Sequence, residues 1–260
     1  MNEMLEQLVT MSTNLGAPER ELVILGEGNT SALNSDGTFW VKASGHQLPT
    51  IEADGFVRVS MDRALAILDE DELTDDQIKE RLIDAKVDRD TGRYPAPNNG
   101  VRPSTETVFH ALCLSLDGVN FVGHTHPIAV NSLTCSTAFE EAFGGRLFPD
   151  EIVMTGPASV VVPYTDPGLP LAREIGRRID AFIETYQERP RVILVQNHGL
   201  IALGGTAEQV ENITAMMDKT ARILLGAYTA GKPRFLDQEN VDRIHTRPDE
   251  AYRRKLLGEE

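Results

Sequence analysis

The chain carries six histidines, and three of them fall in two short fragments, "GHTHP" at 123–127 and "NHG" at 197–199. In an extended strand, residues i and i+2 point to the same face, so His124 and His126 converge if "FVGHTH" is a strand. Two imidazoles on one strand face can chelate a divalent ion, and neutral imidazole suits Zn²⁺. An HxH pair alone fits two hydrogen-bonded or solvated histidines equally well. His198 changes the balance. It follows a second apolar run, "VILVQ", in a turn before Gly199, where a third imidazole can reach the first two. Three protein ligands with one open position is the arrangement of a catalytic zinc. The remaining histidines are weaker candidates. His110 lies one helical turn beyond Glu106 and reads either as support behind the site or as a packed helix residue. His46 follows Gly45 in a predicted loop, and His245 sits in a charged tail and reads as solvated.

Chemistry at such a centre needs a proton carrier and an anchor for the substrate. "RPSTETVFH" places Pro103, two hydroxyl residues and then Glu106 at a predicted helix start near Ser104 or Thr105. Free amides and the positive dipole end favour an anion there, either Glu106 itself or a substrate phosphate. A plain N-cap, with Ser104 or Thr105 capping and Glu106 complementing the dipole, explains the same residues. "GEGNTS" (26–31) is glycine-rich and is read as following a strand, but it matches neither a dinucleotide fingerprint nor a Walker loop. "KASG" (42–45) sets a hydroxyl and a glycine at a strand end. Backbone amides in both segments can approach an oxyanion closely.

Elements must bring these fragments together. Residues 2–15 have helical apolar spacing, and "TFWVKASG" and "GFVRVSM" read as short strands, with Asn34 to Gly37 turning into the first. Residues 62–88 are acidic and helical in pattern, and 88–103 form a Pro/Gly/Asn-rich loop. "VNFVGHTHP" is a strand that stops at Pro127, and 127–142 are helical. "EIVMTGPASVVVPY" predicts two strands around Gly156-Pro157. Residues 169–188 are an amphipathic helix, "RVILVQNHGLIALGG" a strand, turn and strand, and Thr206 opens a long helix to about Gly231. Helices and strands mix without a regular βαβ rhythm. The reading is therefore one α/β domain over 1–260, a mixed central β-sheet with helices on both faces, an acidic insertion at about 62–100 and a C-terminal tail at about 232–260.

Composition excludes some functions. The net charge of −15 repels phosphate backbones, so nucleic acid is no partner, and a phosphorylated substrate needs a local site. Cys113 and Cys135 lack CxxC spacing and read as two buried, reduced thiols, which fits the cytoplasm. The N-terminus has no basic region before an apolar core and does not read as a signal peptide, and no apolar run suits a membrane helix.

Taken in order, "GEGNTS", "KASG", "PSTE", "HTH" and "NHG" resemble the class II aldolase/adducin family, and the match spans most of the chain. That family includes fuculose- and rhamnulose-phosphate aldolases, a ribulose-phosphate 4-epimerase, decarboxylases of sugar-acid phosphates and the non-catalytic adducin head. The resemblance implies that His124, His126 and His198 bind Zn²⁺, with Mn²⁺ or Co²⁺ as substitutes, and that Glu106 is the general acid/base. It implies that Asn29, Ser44, Gly45, Ser104 and Thr105 hold the phosphate of a small-molecule sugar phosphate. It also implies a cytoplasmic homotetramer with active sites at subunit interfaces and a tyrosine donated across them. Tyr252 in "RPDEAYRR" is chosen for that role, with Tyr228 as the other candidate and Tyr164 read as structural. Two departures from the short aldolases are the acidic stretch at 62–100 and the 72 positions between His126 and His198.

The implied function is a metal-dependent aldolase that cleaves a ketose phosphate to dihydroxyacetone phosphate and an aldehyde through a metal-stabilised enediolate. No Schiff-base lysine is required, so Lys42 reads as a phosphate ligand or a strand-edge charge. Glu106 is expected to have a raised pKa from desolvation. A decarboxylase of 3-oxo sugar-acid phosphates shares the same residues. The 4-epimerase is disfavoured by a glutamate where the resemblance places an aspartate, and an adducin-like binding domain by the retained histidines.

Overall fold

The computed structural model describes residues 3–96 and 100–248. Helix α1 (Glu3–Leu15) buries Leu5, Leu8, Met11 and Leu15, one side of an amphipathic helix. Strands β1 (Asn29–Leu33) and β2 (Thr38–Lys42) pair antiparallel across the turn at 34–37, and β3 (Phe56–Ser60) pairs with β2. The acidic stretch then forms α2 (Met61–Ala66) and α3 (Asp75–Asp84), the latter opened by a capping box between Thr74 and Gln77. Next come α4 (Thr107–Leu114), β4 (Phe121–Thr125), α5 (Ile128–Thr134), α6 (Phe139–Phe143) and α7 (Pro149–Thr155). The chain continues with β5 (Val160–Val162), α8 (Leu169–Tyr186), β6 (Val192–Val195), β7 (Gly199–Gly204), α9 (Ala207–Ala230) and α10 (Gln238–His245).

The seven strands form one sheet in the order β3-β2-β1-β4-β7-β6-β5. Among the described residues only the β5–β6 pair is parallel. Alternate residues serve two cores, as period-two geometry requires. Val41, Val59, Val122, Ile193, Ile201 and Leu203 pack with α2, α4 and α8, whereas Trp40, Phe121, Leu194, Leu200 and Ala202 pack with α1, α5 and α9. The sheet is mixed and carries helices on both faces, as the apolar patterns require. No helix among the described residues is long and apolar enough to cross a membrane.

The structure differs from the sequence reading at several points. "EIVMT" is the body of α7, not a strand: Pro149 and the acidic Asp150 and Glu151 occupy its first turn, which favours a helix start over a strand. "GEGNTS" leads into β1 and does not follow a strand. The helix expected at 104–105 begins at Thr107. Cys135 is exposed, because the last turn of α5 places it outside the core, while Cys113 is buried. His245 is partly buried and pairs with Glu188 at 3.1 Å.

Candidate metal and acid–base site

One end of the sheet collects the residues of interest. Asn29 opens β1 opposite His124 of β4, and His124 in turn faces Ile201 of β7. Lys42 closes β2 at the same end. His124 lies on the middle strand of this group and is 1% exposed. His126 follows the strand end, its N–H donated to Leu22 O at 2.8 Å. His198 rides on the tight turn between β6 and β7, with Asn197 in the left-handed region (φ 54°) and the His198 carbonyl accepting from Asn131 Nδ2 at 3.0 Å. Gly199 has a steric reason: a Cβ there would lie 2.5 Å from Thr125 O and 2.7 Å from His126 Cδ2. Only a glycine lets the "NHG" turn close against "HTH".

The result is a convergence of ring nitrogens. His124 Nε2 lies 3.0 Å from His126 Nε2 and 3.2 Å from His198 Nε2. Three nitrogens each ~2.0–2.1 Å from a tetrahedral ion stand about 3.3–3.4 Å apart, so the cluster is close to ligand spacing. His124 Nδ1 sits 3.0 Å from Leu200 O, a carbonyl that can only accept, which fixes a proton on Nδ1 and leaves Nε2 facing the cluster. Burial lowers the His124 pKa, but the charge and hydrogen bond of Glu106 outweigh it and raise it, so an incoming metal displaces a proton from Nε2. Burial, reinforced by the neighbouring imidazoles, pushes His126 down to about 3, so it is neutral. The donor set suits a divalent ion such as Zn²⁺.

Glu106 stands over this cluster. Its Oε1 is 3.4 Å from His124 Nε2 and 3.5 Å from His198 Nε2. The local backbone explains why the carboxylate is available. Glu106 takes the N-cap position of α4 with helical angles (φ −83°, ψ −3°), and its side chain makes no capping bond. Ser104 does the local work instead: its hydroxyl accepts the Glu106 N–H at 3.3 Å and its carbonyl accepts from the Thr107 N–H and hydroxyl. Asn29, fully buried, donates to Glu106 Oε2 at 3.4 Å. Burial alone would raise the Glu106 carboxyl, but charge on His124 and hydrogen bonds from His124 and His198 outweigh it and hold the carboxyl well below the ordinary range. The raised pKa expected from desolvation is therefore not what this setting produces; Glu106 is ionised.

A family model, "Class II Aldolase and Adducin N-terminal domain", matches residues 6–225. The chain belongs to the class II aldolase and adducin family. A curated relative, the "uncharacterized oxidoreductase YuxG" of Bacillus subtilis, is 29% identical over 211 residues, covering 78% of this chain and 27% of its own length. The chain thus spans about a quarter of that relative. Among solved structures, the N-terminal class II aldolase domain of a Thermoplasma acidophilum protein superposes with a TM-score of 0.65 at 26% identity, covering 86% of this chain and 95% of its own. An L-fuculose 1-phosphate aldolase gives 0.66 at 17% identity, with 94% and 95% covered, a likeness of fold. Class II aldolases are metal-dependent, and the three-histidine cluster is where this family member has the ligands for an ion.

The remaining sequence candidates fall around this centre in two ways. The class II aldolase segments "KASG" and "PSTE" run side by side: Ser44 N–H donates to Arg102 O at 2.9 Å and Ser104 N–H to Lys42 O at 3.3 Å. This brings Ser44, Gly45, Ser104 and Thr105 onto one rim, with Ser44, Gly45 and Thr105 exposed. Asn29 is set against Glu106. Tyr164 is exposed and donates to Asp166 at 3.2 Å, the Tyr228 hydroxyl is buried without a partner among the described residues, and Tyr252 lies outside the described residues.

Three more residues complete the surroundings, of which only Glu27 had no place in the sequence reading. Lys42 is 4% exposed, donates to His46 O at 2.8 Å, and is lowered by burial against the pull of Glu106, so it is no strand-edge charge. His110, fully buried, meets Ser31 Oγ at 2.7 Å and stacks on Phe109, whose edge meets the His124 ring. Glu27 brings Oε1 to 3.7 Å from His126 Nδ1 while its Oε2 accepts the Ile24 N–H. Its place inside "GEGNTS", between two glycines, was the available signal.

Proposed function

We propose that the protein is a metal-dependent aldolase that cleaves a ketose phosphate to dihydroxyacetone phosphate and an aldehyde. The observation that carries this is the Glu106 carboxyl group within 3.5 Å of two convergent imidazole Nε2 atoms. A divalent metal such as Zn²⁺, held by His124, His126 and His198, supplies Lewis-acid stabilisation of the substrate oxygens that gain negative charge. The chain's own groups supply the proton and the orientation.

In cleavage, the hydroxyl β to the ketone loses its proton, the bond between the α and β carbons breaks, and the electron pair passes towards the carbonyl to give an enediolate. The α carbon then takes up a proton. Glu106 is the group for that second transfer: as a carboxylate it removes the proton from this carbon in condensation and, once protonated, returns it in cleavage. Asn29 fixes the carboxylate rotamer. Ser44, Gly45, Ser104 and Thr105 anchor the phosphate at the far end, which holds the reacting carbons near Glu106. Tyr252 of a neighbouring subunit is assigned the hydroxyl proton. A homotetramer fits the exposed Ile24, Leu25 and Ile128, on two segments tied by the Ile128 N–H to Glu21 O contact beside the site. A reducing cytoplasm fits the two free thiols.

The test is a screen of phosphorylated ketoses with coupled detection of dihydroxyacetone phosphate and of CO₂. Release of dihydroxyacetone phosphate that is lost in Glu106→Gln supports the proposal. CO₂ as the only product overturns the aldolase assignment in favour of decarboxylation at the same residues.

A further inference from the structure

The acidic stretch between β3 and α4 has no role in the chemistry above, yet α3 places Lys79 and Leu82 against the rim formed by "KASG" and "PSTE". A cavity of about 80 Å³ is lined by Ser44, Lys79, Leu82, Arg102, Pro103 and Thr105. We propose that Lys79 and Arg102 are specificity-determining residues that, with the Ser44 and Thr105 hydroxyls, bind a phosphate dianion here and select phosphorylated over carboxylate-bearing substrates. This deepens the reading of the site as one for a sugar phosphate and rests on it.

Several observations converge. The chain as a whole carries a charge of −15, so its long-range field opposes a dianion, and any phosphate site must supply positive charge locally. Arg102 makes no side-chain hydrogen bond or ion pair among the described residues, and it is exposed. Its backbone is fixed, because Arg102 O accepts the Ser44 N–H and Ala43 bridges Pro103. Among the described residues Lys79 pairs only with Asp76, at 3.1 Å, and the Asp76 side chain is 89% exposed. An exposed pair of this kind contributes little and yields readily to a ligand. Leu82, one turn along α3 and 1% exposed, anchors the face from which Lys79 projects. Two cations and two hydroxyls offer more donors than the two oxygens of a carboxylate use, and they suit the three free oxygens of a phosphate ester. The departure at 62–100 would then supply part of the anion site.

The experiment titrates inorganic phosphate into metal-loaded protein by calorimetry, with sodium acetate as the carboxylate control. Metal content and circular dichroism are followed alongside. Wild type should bind phosphate and not acetate. Lys79→Met and Arg102→Gln should each weaken phosphate binding by about tenfold, with metal content and fold unchanged and with Lys79→Arg restoring affinity. Unchanged phosphate affinity in the double variant would overturn the proposal, as would equal binding of acetate. Absence of phosphate binding in a wild type that retains its metal would also overturn it, while leaving the metal and Glu106 assignments standing.

Discussion

His110 makes the protein acid-labile in a way that can be isolated. The residue is fully buried behind Glu106 and His124, with Nδ1 on Ser31 Oγ and Nε2 without a partner among the described residues. Burial is the largest influence on it, opposed by Glu106, and pushes its pKa from 6.5 to about 3. The folded state therefore refuses a proton that the unfolded chain accepts. The stability this represents is full above about pH 6.5 and is lost as pH falls towards 3. The whole shift corresponds to about 4–5 kcal/mol, and the part between about pH 7 and 5 to about 2 kcal/mol. That is a sizeable share of a domain's usual stability of about 5–15 kcal/mol. Neutrality also serves the site, because a cation behind His124 would oppose an incoming metal. The assay is urea unfolding of metal-stripped protein at these two pH values, for wild type and His110→Asn, which keeps a polar atom near Ser31. Glu106 and His126 titrate in both proteins, so the difference in pH dependence belongs to His110. Equal stability loss in the two proteins would refute the argument.

Further outcomes follow from the same geometry. Glu106→Gln should keep metal binding and lose at least about 100-fold in turnover with whichever ketose phosphate proves active, measured by dihydroxyacetone phosphate release. Gly199→Ala forces a methyl group to within 2.5 Å of Thr125 O and should weaken metal binding at least about tenfold in a chelator competition assay. In native protein only Cys135 should react with a disulfide reagent, since burial pushes the Cys113 thiol up to about 12; urea should release a second equivalent.

Much of this was legible in the sequence because the decisive features are local. Period two in "FVGHTH" gave the facing histidines, the Gly199 turn gave the third, and Thr206 and Gly231 bounded the long α9 as start and stop residues. The family followed from five motifs in order. What escaped was set partly by element type and helix phase and partly by tertiary contacts. "EIVMT" is apolar enough for a strand or a buried helix, and only its Pro149 start decides. Cys135 reads as core by its neighbours, but helix phase turns it outwards. The Glu106 pKa was misjudged because desolvation is a property of burial alone, whereas the outcome depends on imidazoles from β4 and the β6–β7 turn, some 18 and 92 positions further along. Lys79 carries no motif at all; it meets the rim only because α3 packs there.

The central claim is that His124, His126 and His198 hold one divalent ion beneath Glu106. Zn²⁺ titrated into metal-stripped protein, with calorimetric and chelator-competition readouts, tests it directly. The account predicts one ion per chain, proton release on binding, and at least about 100-fold weaker binding in both His124→Ala and His198→Ala. Absence of stoichiometric binding in the wild type, or binding that survives both replacements undiminished, would contradict it.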